Sequence, residues 1–345
     1  MHLSDFDYEL PEKLIAQHPL ERRDASRMLV LNRADQSWKD SRFELLPKYV
    51  EAGDVIVINN TRVFPARLMA QREPSGGKVE LLLIREVAPS TWEALVRPAH
   101  RLKRGGRLRF GNSMLRAEVV GCFEKGLRHL KFEGDGPLQH LLNELGQIPL
   151  PPYIKRASGT SADDKERYQT VFASKKGAIA APTAGLHFTP QVIEGLLARQ
   201  ARLVEITLHV GYGTFEPVRV DEIEQHQVAS EFFQISKEAA NVINESREGG
   251  GRIIAIGTTT SRALESAVNA AGRIEAGERE TELTITPGFK FRAVDALLTN
   301  FHLPRSSLLL LVCAFAGRDL TLEAYRYAAE THFRFYSYGD CMFVM

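Results

Sequence analysis

The chain has 345 residues, of which 44% are hydrophobic and 25% are charged. These fractions are typical of a globular protein and exclude a wholly disordered chain, a collagen-like fibre and a disulfide scaffold. At about 150 residues per domain, the length predicts two domains. The three cysteines are far apart and form no Cys-x-x-Cys pair. This spacing fits neither a zinc cage nor a disulfide framework, and it indicates a reducing, cytoplasmic location.

The first 17 residues carry four acidic side chains and no long apolar stretch, so we expect no secretory signal. The longest apolar run, from Leu308 to Ala316, has nine residues. A membrane-spanning helix needs about 20. We therefore predict no membrane association and interpret this run as part of a buried core.

The first strong strand signal is residues 54–58, a short β-branched apolar run typical of a strand buried on both faces. Between about 67 and 148 the pattern changes to short alternating segments, most of them separated by glycine or proline. The segments are Arg67–Arg72, Val79–Ile84, Thr91–Val96, Arg107–Phe110, Leu115–Val120 and Leu127–Phe132. Six short strands with such turns predict a small antiparallel barrel or sandwich.

Charge is concentrated in the same region. Between Arg62 and Lys131 there are fifteen basic and six acidic residues, a net charge of +9, and the rest of the chain carries −8 because the total is +1. A basic module beside an acidic body indicates a polyanionic partner such as nucleic acid. The densest basic residues are Arg101, Lys103, Arg104, Arg107 and Arg109. The alternative is a solvated loop without a partner.

After the prolines at 149, 151 and 152, helix and strand signals alternate. We predict strands at Gly177–Ala181, Leu203–Val210, Arg252–Ile256 and Leu308–Phe315, and helices from Pro190, over Lys237–Arg247, over Arg262–Ala271 and over Leu320–Thr331. The fold class is therefore α/β: a sandwich-like body, residues 1–67 and 149–345, with an inserted antiparallel β-barrel domain, residues 68–148.

Two loops carry polar groups suited to chemistry. Residues 257–262 place three threonines, a serine and Arg262 between a strand and a helix, where a helix N-terminus attracts a carboxylate or phosphate. The alternative is a hydroxyl-rich helix cap. Residues 181–189 contain His187, which titrates near neutral pH, although a lone histidine is more often a structural hydrogen-bonding group.

Two further loops contain aromatic residues. Residues 209–215 place glycines on both sides of Tyr212, but they lack the final glycine of a dinucleotide-binding loop. They form either a turn that presents a flat face or a plain turn. Residues 334–340 hold three aromatic side chains, which either stack on a base or dock into the core.

These loops and others match one family in order. The matching segments are Asn60–Arg67, Ala181–Thr189, Leu208–Pro217, Gly257–Thr259, Leu298–Pro304 and Phe335–Asp340. The chain resembles the S-adenosylmethionine:tRNA ribosyltransferase-isomerases of the queuosine pathway, from Phe6 to the C-terminus. One position departs from the pattern: Ala229 lies in His226–Glu231, where members usually carry a second histidine.

The resemblance implies a specific reaction. The family acts on tRNA that carries 7-aminomethyl-7-deazaguanine at the wobble position, and it transfers and isomerises the ribosyl group of S-adenosylmethionine onto that amine. Epoxyqueuosine forms in the tRNA, and adenine and methionine are released. S-adenosylmethionine is a consumed co-substrate, and no cofactor or metal is expected. The implied fold is an α/β body with an inserted barrel, and we expect a monomer.

This chemistry assigns expected roles to residues of the matched segments. Proton transfer is expected from His187, His209 and Glu231, binding of the methionine carboxylate from Thr258, Thr259 and Arg262, and stacking from Phe215 and Tyr338. Other expected substrate contacts are Asn60, Arg62, Thr183, Gly185, Gly211, Gly213, Asn300, His302 and Asp340. Asn60 and Arg62 are alternatively residues of the interdomain joint.

Two other functions are consistent with parts of the sequence. One is an S-adenosylmethionine-dependent tRNA methyltransferase, against which the missing glycine-rich fingerprint argues. The other is a non-catalytic RNA-binding protein, which would not need polar loops outside the basic module. Release of adenine instead of S-adenosylhomocysteine would exclude the methyltransferase. Failure to consume S-adenosylmethionine would favour the RNA-binding protein.

Overall fold

The computed structural model describes residues 1–135, 138–156, 161–215 and 217–345. Within these ranges the side chains of residues 139, 162, 214 and 215 are not described.

The described residues form strands β1 to β17, numbered in chain order. They are Arg27–Asn32, Ser37–Arg42, Val55–Asn59, Thr61–Val63, Arg67–Glu73, Lys78–Ala88, Thr91–Arg97, Arg107–Arg109, Arg116–Cys122, Leu127–Glu133, Lys175–Ala178, Arg202–Leu208, Glu231–Ile235, Ile253–Ile256, Gly277–Thr281, Ala296–Asn300 and Cys341–Val344. Helices α1 to α7 are Leu138–Leu145, Ala162–Arg167, Pro190–Ala198, Lys237–Glu248, Thr258–Ala267, Ser307–Ala316 and Arg318–Glu330.

A nine-stranded sheet forms the body, in the order β15-β13-β12-β3-β14-β16-β17-β1-β2. The neighbours β12, β3, β14 and β16 are parallel, whereas β13 and β17 run antiparallel to β12 and β16. Strand β3 is buried along its whole length, as its β-branched sequence predicts. The sheet therefore has a parallel centre with mixed edges.

Helices cover both faces of this sheet. Val55 and Val57 face a core that includes residues of α4, α5, α6 and α7, whereas Ile56 and Ile58 face a second core that includes Val192 of α3. Alternate residues of one strand thus supply two separate hydrophobic cores. The predicted α/β fold class is confirmed.

One predicted strand is wrong. Residues 308–315 lie in helix α6, not in a strand. The helix is capped by Ser306, whose Oγ accepts the N–H of Leu309 at 3.3 Å, and most of its residues are buried. A helix buried on nearly all sides gives the same unbroken apolar run as a buried strand, so periodicity cannot separate the two. Helix α5 also begins at Thr258, four residues before its predicted start.

The six strands predicted between 67 and 133 are present. They form a closed barrel in the order β10-β7-β6-β5-β8-β9, with all neighbours antiparallel. Its interior is filled by apolar side chains such as Leu81, Ala94 and Val119, and Leu142 of α1 packs against them. The barrel has its own hydrophobic core.

The chain enters and leaves the barrel side by side. The main-chain N–H and C=O of Arg67 and Gln147 exchange hydrogen bonds of 3.1 and 2.8 Å. A side chain at Gly146 would lie 2.2 Å from the carbonyl oxygen of Pro65, so this close approach requires glycine. The pairing lies near the predicted boundaries at 68 and 148, and the division into two domains itself stays a prediction.

A buried ion pair joins β3 to β14. Asp54 is 2% exposed, and its Oδ2 accepts the Nη2 of Arg252 at 2.6 Å. Burial raises the pKa of Asp54, but hydrogen bonds from Arg252 and from the main-chain N–H of Glu51 outweigh that effect, so the pKa lies below its ordinary value. The charged form is therefore the one that stabilises the fold.

We predict that Asp54→Asn lowers the free energy of unfolding by about 1–3 kcal/mol at pH 7. A carboxyl group whose pKa is lowered on folding stabilises above its unfolded pKa, about 3.9, and loses that contribution as the pH falls through the folded value. The difference between variant and wild type should therefore shrink below about pH 4. Urea unfolding at several pH values measures both quantities.

Glu245→Gln is the matched control, because Glu245 pairs with Arg202 at 3.2 Å but is 64% exposed. Exposed pairs contribute little, so this variant should unfold like the wild type at every pH. A destabilisation of Asp54→Asn that is equal at pH 7 and pH 3.5 would contradict the electrostatic explanation.

Candidate active site

The parallel centre of the sheet gathers the polar loops at one edge. Strands β3, β12, β14 and β16 end there, and β13 and β17 begin there because they run in the opposite direction. The loops that follow Asn59, Leu208, Ile256 and Asn300 therefore meet, as expected for ligand sites of open α/β sheets. All six segments that carry the family resemblance have residues at or near this edge, including residues 181–189, which follow β11.

A cleft opens at this edge, with about 520 Å³ of empty space. Five of the predicted substrate-contact residues line it: Thr183, Thr258, Thr259, Asn300 and His302. Residues that the sequence analysis did not select also line it, chiefly Tyr153, Tyr336 and Ser337. We call this space the main cleft.

Helix α5 begins at the wall of the main cleft. Its preceding residue, Gly257, has φ of +93°, and no side chain caps the helix. The hydroxyl of Thr260 donates back to the carbonyl oxygen of Ile256 at 2.7 Å and turns away from the cleft. The first N–H groups of a helix carry partial positive charge, so this end of the cleft suits a carboxylate.

Tyr153 and Tyr336 form an aromatic wall of the cleft. Their rings meet edge to face with centroids 3.9 Å apart, and the hydroxyl of Tyr153 is hydrogen-bonded to Ser337. Tyr336 has φ of +74°, which is unfavourable for a residue other than glycine and is typical of functional positions. Tyr336 lies in the matched segment 335–340. Tyr153 follows the proline cluster, and no sequence pattern indicated that it belongs to the site.

A second cavity adjoins the main cleft, because Thr259 and Leu308 line both. It contains a buried ion pair in which Arg262 Nη1 lies 2.5 Å from Glu231 Oε2. The other oxygen of Glu231 accepts the N–H of Gly211 at 3.0 Å. Arg262 also donates from Nε to the carbonyl oxygen of Leu283 at 2.9 Å.

This arrangement changes the expectation for Arg262. The sequence analysis expected its guanidinium to bind a substrate carboxylate, but the structure directs it to Glu231. Arg262 thereby fixes one carboxylate oxygen, and the N–H of Gly211 fixes the other. The partner could not be identified from local sequence, since Glu231 is 31 positions away.

The second cavity continues into a third, toward the barrel. Gly213, Val228, Ala229 and Ser307 line both spaces, and Lys125 of the barrel reaches the third. A side chain at Gly213 would lie 2.6 Å from Cβ of Ala229, so the two small residues pack together. The position where the family usually carries histidine thus faces this groove in the present chain.

His187 lies behind the main cleft and is hydrogen-bonded through both ring nitrogens. Its Nε2 accepts from Asn300 Nδ2 at 3.1 Å, and its Nδ1 lies 2.8 Å from Ser26 Oγ. The same amide also donates to the carbonyl oxygens of Tyr336 and Asp340, which identifies it as the donor. Burial, reinforced by the charges of Arg334 and Arg23, lowers the pKa of His187 to about 3, so the ring is neutral at physiological pH.

The two other histidines in the predicted site have different environments. His302 lines the main cleft, its Nε2 lies 2.9 Å from Thr299 Oγ1, and burial lowers its pKa to about 3. His209 lies 2.7 Å from Thr61 Oγ1 through Nδ1, and burial lowers its pKa as well. The His209 ring packs against Gly177, where a side chain would come within 2.6 Å.

Several predicted contacts have structural partners. Asn60 bonds to Glu205 and Thr207 at 2.9 and 2.8 Å, and exposed Arg62 donates to the carbonyl oxygen of Ala173 at 3.3 Å. A side chain at Gly185 would lie 2.8 Å from the ring of Phe172. These positions fit a role in the joint and in packing, which was the stated alternative for Asn60 and Arg62.

The C-terminal loop docks into the core. Asp340 is 2% exposed and accepts the main-chain N–H groups of Arg27 and Arg334 at 2.9 and 2.8 Å. Tyr338 is 5% exposed, and its ring meets that of Tyr168 edge to face, which fits core docking rather than free stacking. The predicted stacking side chain of Phe215 lies outside the described part of the chain.

Among the described residues, no group of three or more histidine, cysteine, aspartate or glutamate side chains is arranged to hold a metal ion. None of the described helices has both the length and the apolar character that crossing a membrane requires.

The chain is similar to known proteins over its whole length. The family described as "Queuosine biosynthesis protein" matches residues 3–344. A protein of Symbiobacterium thermophilum is 49% identical and one of Acetivibrio thermocellus 46% identical, each over 100% of both chains, and both are named S-adenosylmethionine:tRNA ribosyltransferase-isomerase.

A solved structure agrees with these relatives. The S-adenosylmethionine tRNA ribosyltransferase of Thermotoga maritima is 39% identical, with a TM-score of 0.56 over 99% of this chain and 100% of that one. The resemblance inferred from the ordered motifs is confirmed, and the chain belongs to the queuosine biosynthesis protein family.

Proposed function

We propose that this protein transfers and isomerises the ribosyl group of S-adenosylmethionine onto the amine of 7-aminomethyl-7-deazaguanine at the tRNA wobble position. The products are epoxyqueuosine in the tRNA, adenine and methionine. Full-length similarity to relatives that are named for this activity carries the proposal. S-adenosylmethionine is a consumed co-substrate in this reaction, and tRNA is the second substrate.

The main cleft is suited to the S-adenosylmethionine molecule. The N-terminus of α5, at Thr258 and Thr259, offers N–H groups to the methionine carboxylate. Tyr153 and Tyr336 supply an apolar wall for the adenosyl part, and His302 and Asn300 are polar groups on the same wall.

The reaction requires specific proton transfers. A base removes a proton from the ribose carbon next to the sulfonium, whose positive charge makes that proton more acidic. The glycosidic bond breaks as adenine leaves with a proton, and the amine nitrogen bonds to the anomeric carbon. The deprotonated carbon bonds to the same anomeric carbon as the ring oxygen leaves it, which closes the five-carbon ring. The freed oxygen then displaces methionine, which departs with the sulfonium electron pair, and this closes the epoxide. The amine must be neutral when it attacks, so a group in the site accepts its proton.

Glu231 is the carboxylate best suited to accept that proton. It lies in the second cavity beside the main cleft, and its two oxygens are fixed by Arg262 and by the N–H of Gly211. Positioning of this kind favours proton transfer because the acceptor needs no rearrangement. His187 is neutral with both ring nitrogens engaged, so we assign it to positioning of Asn300.

The activity is tested by mass spectrometry of the small molecules and of the tRNA. Purified protein is incubated with S-adenosylmethionine and tRNA that carries the aminomethyl base. We expect adenine and methionine in equal amounts, together with epoxyqueuosine in the tRNA. S-adenosylhomocysteine instead of adenine would indicate a methyltransferase, and unchanged S-adenosylmethionine would indicate an RNA-binding protein without this activity.

We predict that Glu231→Gln lowers kcat by about 10²–10⁴-fold, the usual contribution of a general base. The amide keeps the shape and a hydrogen-bond acceptor, so the affinities for S-adenosylmethionine and tRNA should change by less than a few fold. Steady-state kinetics and equilibrium binding measure these effects.

Loss of the Glu231 charge also leaves Arg262 buried without its partner, which by itself destabilises a protein. Glu265→Gln controls for this effect. Glu265 is a buried carboxylate on α5 that accepts the N–H groups of Arg292, Ala293 and Val294 at 2.9–3.0 Å. The Glu265→Gln variant should be less stable than the wild type but keep its kcat. A wild-type kcat for Glu231→Gln would contradict the assignment of Glu231 as the proton acceptor.

The basic loop of the barrel is suited to the tRNA backbone. Arg101, Lys103, Arg104 and Arg107 are exposed, Arg109 is half-buried, and none of the five forms an ion pair with a described residue. Arg128 is 9% exposed and donates to the carbonyl oxygens of Leu102, Ala99, Phe123 and Leu127 at 2.6–3.1 Å. The loop is thus held in one position with its charges free.

We predict that replacing Arg101, Lys103 and Arg104 together by alanine weakens tRNA binding and flattens its salt dependence. Each lost phosphate contact should reduce the slope of log affinity against log salt by about 0.7–0.9. Binding isotherms at several salt concentrations measure the slope. The affinity for S-adenosylmethionine should not change, and an unaltered slope would identify the loop as solvated without a partner.

A further inference from the structure

A further cavity shares Ser337 with the main cleft. It has about 290 Å³ of empty space, part of which is open to solvent, and its polar lining consists of Arg23, Arg167, Ser26, His187, Ser337 and Tyr338. These side chains are hydrogen-bond donors or neutral groups, and its described lining contains no carboxylate. We call it the arginine cavity.

The two arginines are held in place by carbonyl groups. Arg23 donates from Nη1 to the carbonyl oxygen of Gln169 at 2.6 Å and from Nη2 to that of Glu166 at 3.3 Å. Arg167 donates to the carbonyl oxygens of Leu20 and Glu21. Carbonyl groups fix the direction of a guanidinium but leave its charge unneutralised, so both arginines are preorganised cations.

Among the described residues, no carboxylate oxygen lies within 4 Å of a nitrogen of Arg23 or Arg167. The positive charge of Arg167 acts on Arg23. Burial and the neighbouring Arg167 lower the pKa of Arg23, although Glu166 and Asp163 offset part of this effect. Clustered cations without close counter-ions are a site for an anion.

Two donors at this cavity have no partner within the described part of the chain. They are Nε of Arg167 and the hydroxyl of Tyr338, a side chain that is 5% exposed. Buried donors without acceptors cost free energy, and in a native protein each needs an explanation, of which a bound water or ion is one. Several donors around one space match an anion with several acceptor oxygens.

We propose that the arginine cavity binds a backbone phosphate of the RNA substrate. The proposal rests on the proposed function, because it presupposes a tRNA substrate. Arginine suits phosphate because its planar guanidinium can donate two parallel hydrogen bonds. A wider surface groove also has Arg23 and Arg167 in its lining, together with Arg22 and the carboxylates of Glu21, Asp24 and Glu44, and it gives a polynucleotide room to continue past the cavity.

A phosphate fits these observations better than the methionine carboxylate does. The arginine cavity shares Ser337 with the main cleft but opens beside the surface groove. The main cleft has its own anion-binding group in the N-terminus of α5. The RNA is therefore held at two places, by the basic loop on the barrel and by this cavity on the body.

The test compares Arg23→Gln and Arg167→Gln with Arg202→Gln as a matched control. Arg202 is 50% exposed, pairs with Glu245 at 3.2 Å and begins β12, at the edge of the sheet opposite the site. Binding of unmodified tRNA is measured at several salt concentrations, together with the KM for S-adenosylmethionine. We expect about tenfold weaker tRNA binding and a slope lowered by about 0.7–0.9 in each of the first two variants, with no change in the control.

Tyr338→Phe tests the same proposal with little disturbance of the fold, because it removes a single hydroxyl. We expect several-fold weaker tRNA binding and an unchanged melting temperature for this variant. Unchanged tRNA affinity and salt slope in the folded variants would overturn the proposal. A raised KM for S-adenosylmethionine with unchanged tRNA affinity would also overturn it and would place a carboxylate in the cavity. Turnover by the wild type, measured in parallel, tests the proposed function separately.

Discussion

Four parallel strands in the middle of the sheet set the position of the loops that carry Thr258, Thr259, Asn300 and His302. Because β12, β3, β14 and β16 point the same way, their following loops must meet at one edge, although they are far apart in sequence. Antiparallel β13 brings the start of its own strand, and with it Glu231, to the same edge. The pairing of Glu231 with Arg262 is a consequence of strand order rather than of local sequence.

The site depends on neutral hydrogen-bonding groups as much as on charges. The amide of Asn300 donates to the ring of His187 and to the carbonyl oxygens of Tyr336 and Asp340, so a single side chain connects β16, the C-terminal loop and the loop before α3. Hydrogen bonds are electrostatically strong in the low-dielectric interior, so these three help to specify the shape of the cleft wall. The hydrogen bond from Asn300 to the carbonyl oxygen of Tyr336 also fixes the aromatic wall of the main cleft.

Sequence patterns predicted the barrel, the buried strand at 54–58 and the helix that begins at Pro190, since turn residues, β-branched runs and capping residues act locally. They failed for residues 308–315, where burial on all sides removed the periodicity. The loops of the site were identified, but the partners of Arg262 and Asp340 were not. Those partners lie on other strands, and only the sheet order brings them into contact.

Strand β17 lies between β16 and β1, and Asp340 bonds to Arg27 across 313 positions of sequence. Closing so long a loop costs chain entropy before any stabilising contact forms. The barrel is built largely from antiparallel strands that are adjacent in sequence, so its loops are short. The barrel and the body should therefore acquire structure at different times, with the barrel first. The cleft is completed late, because its wall and the last strand of the sheet assemble in the same cooperative step.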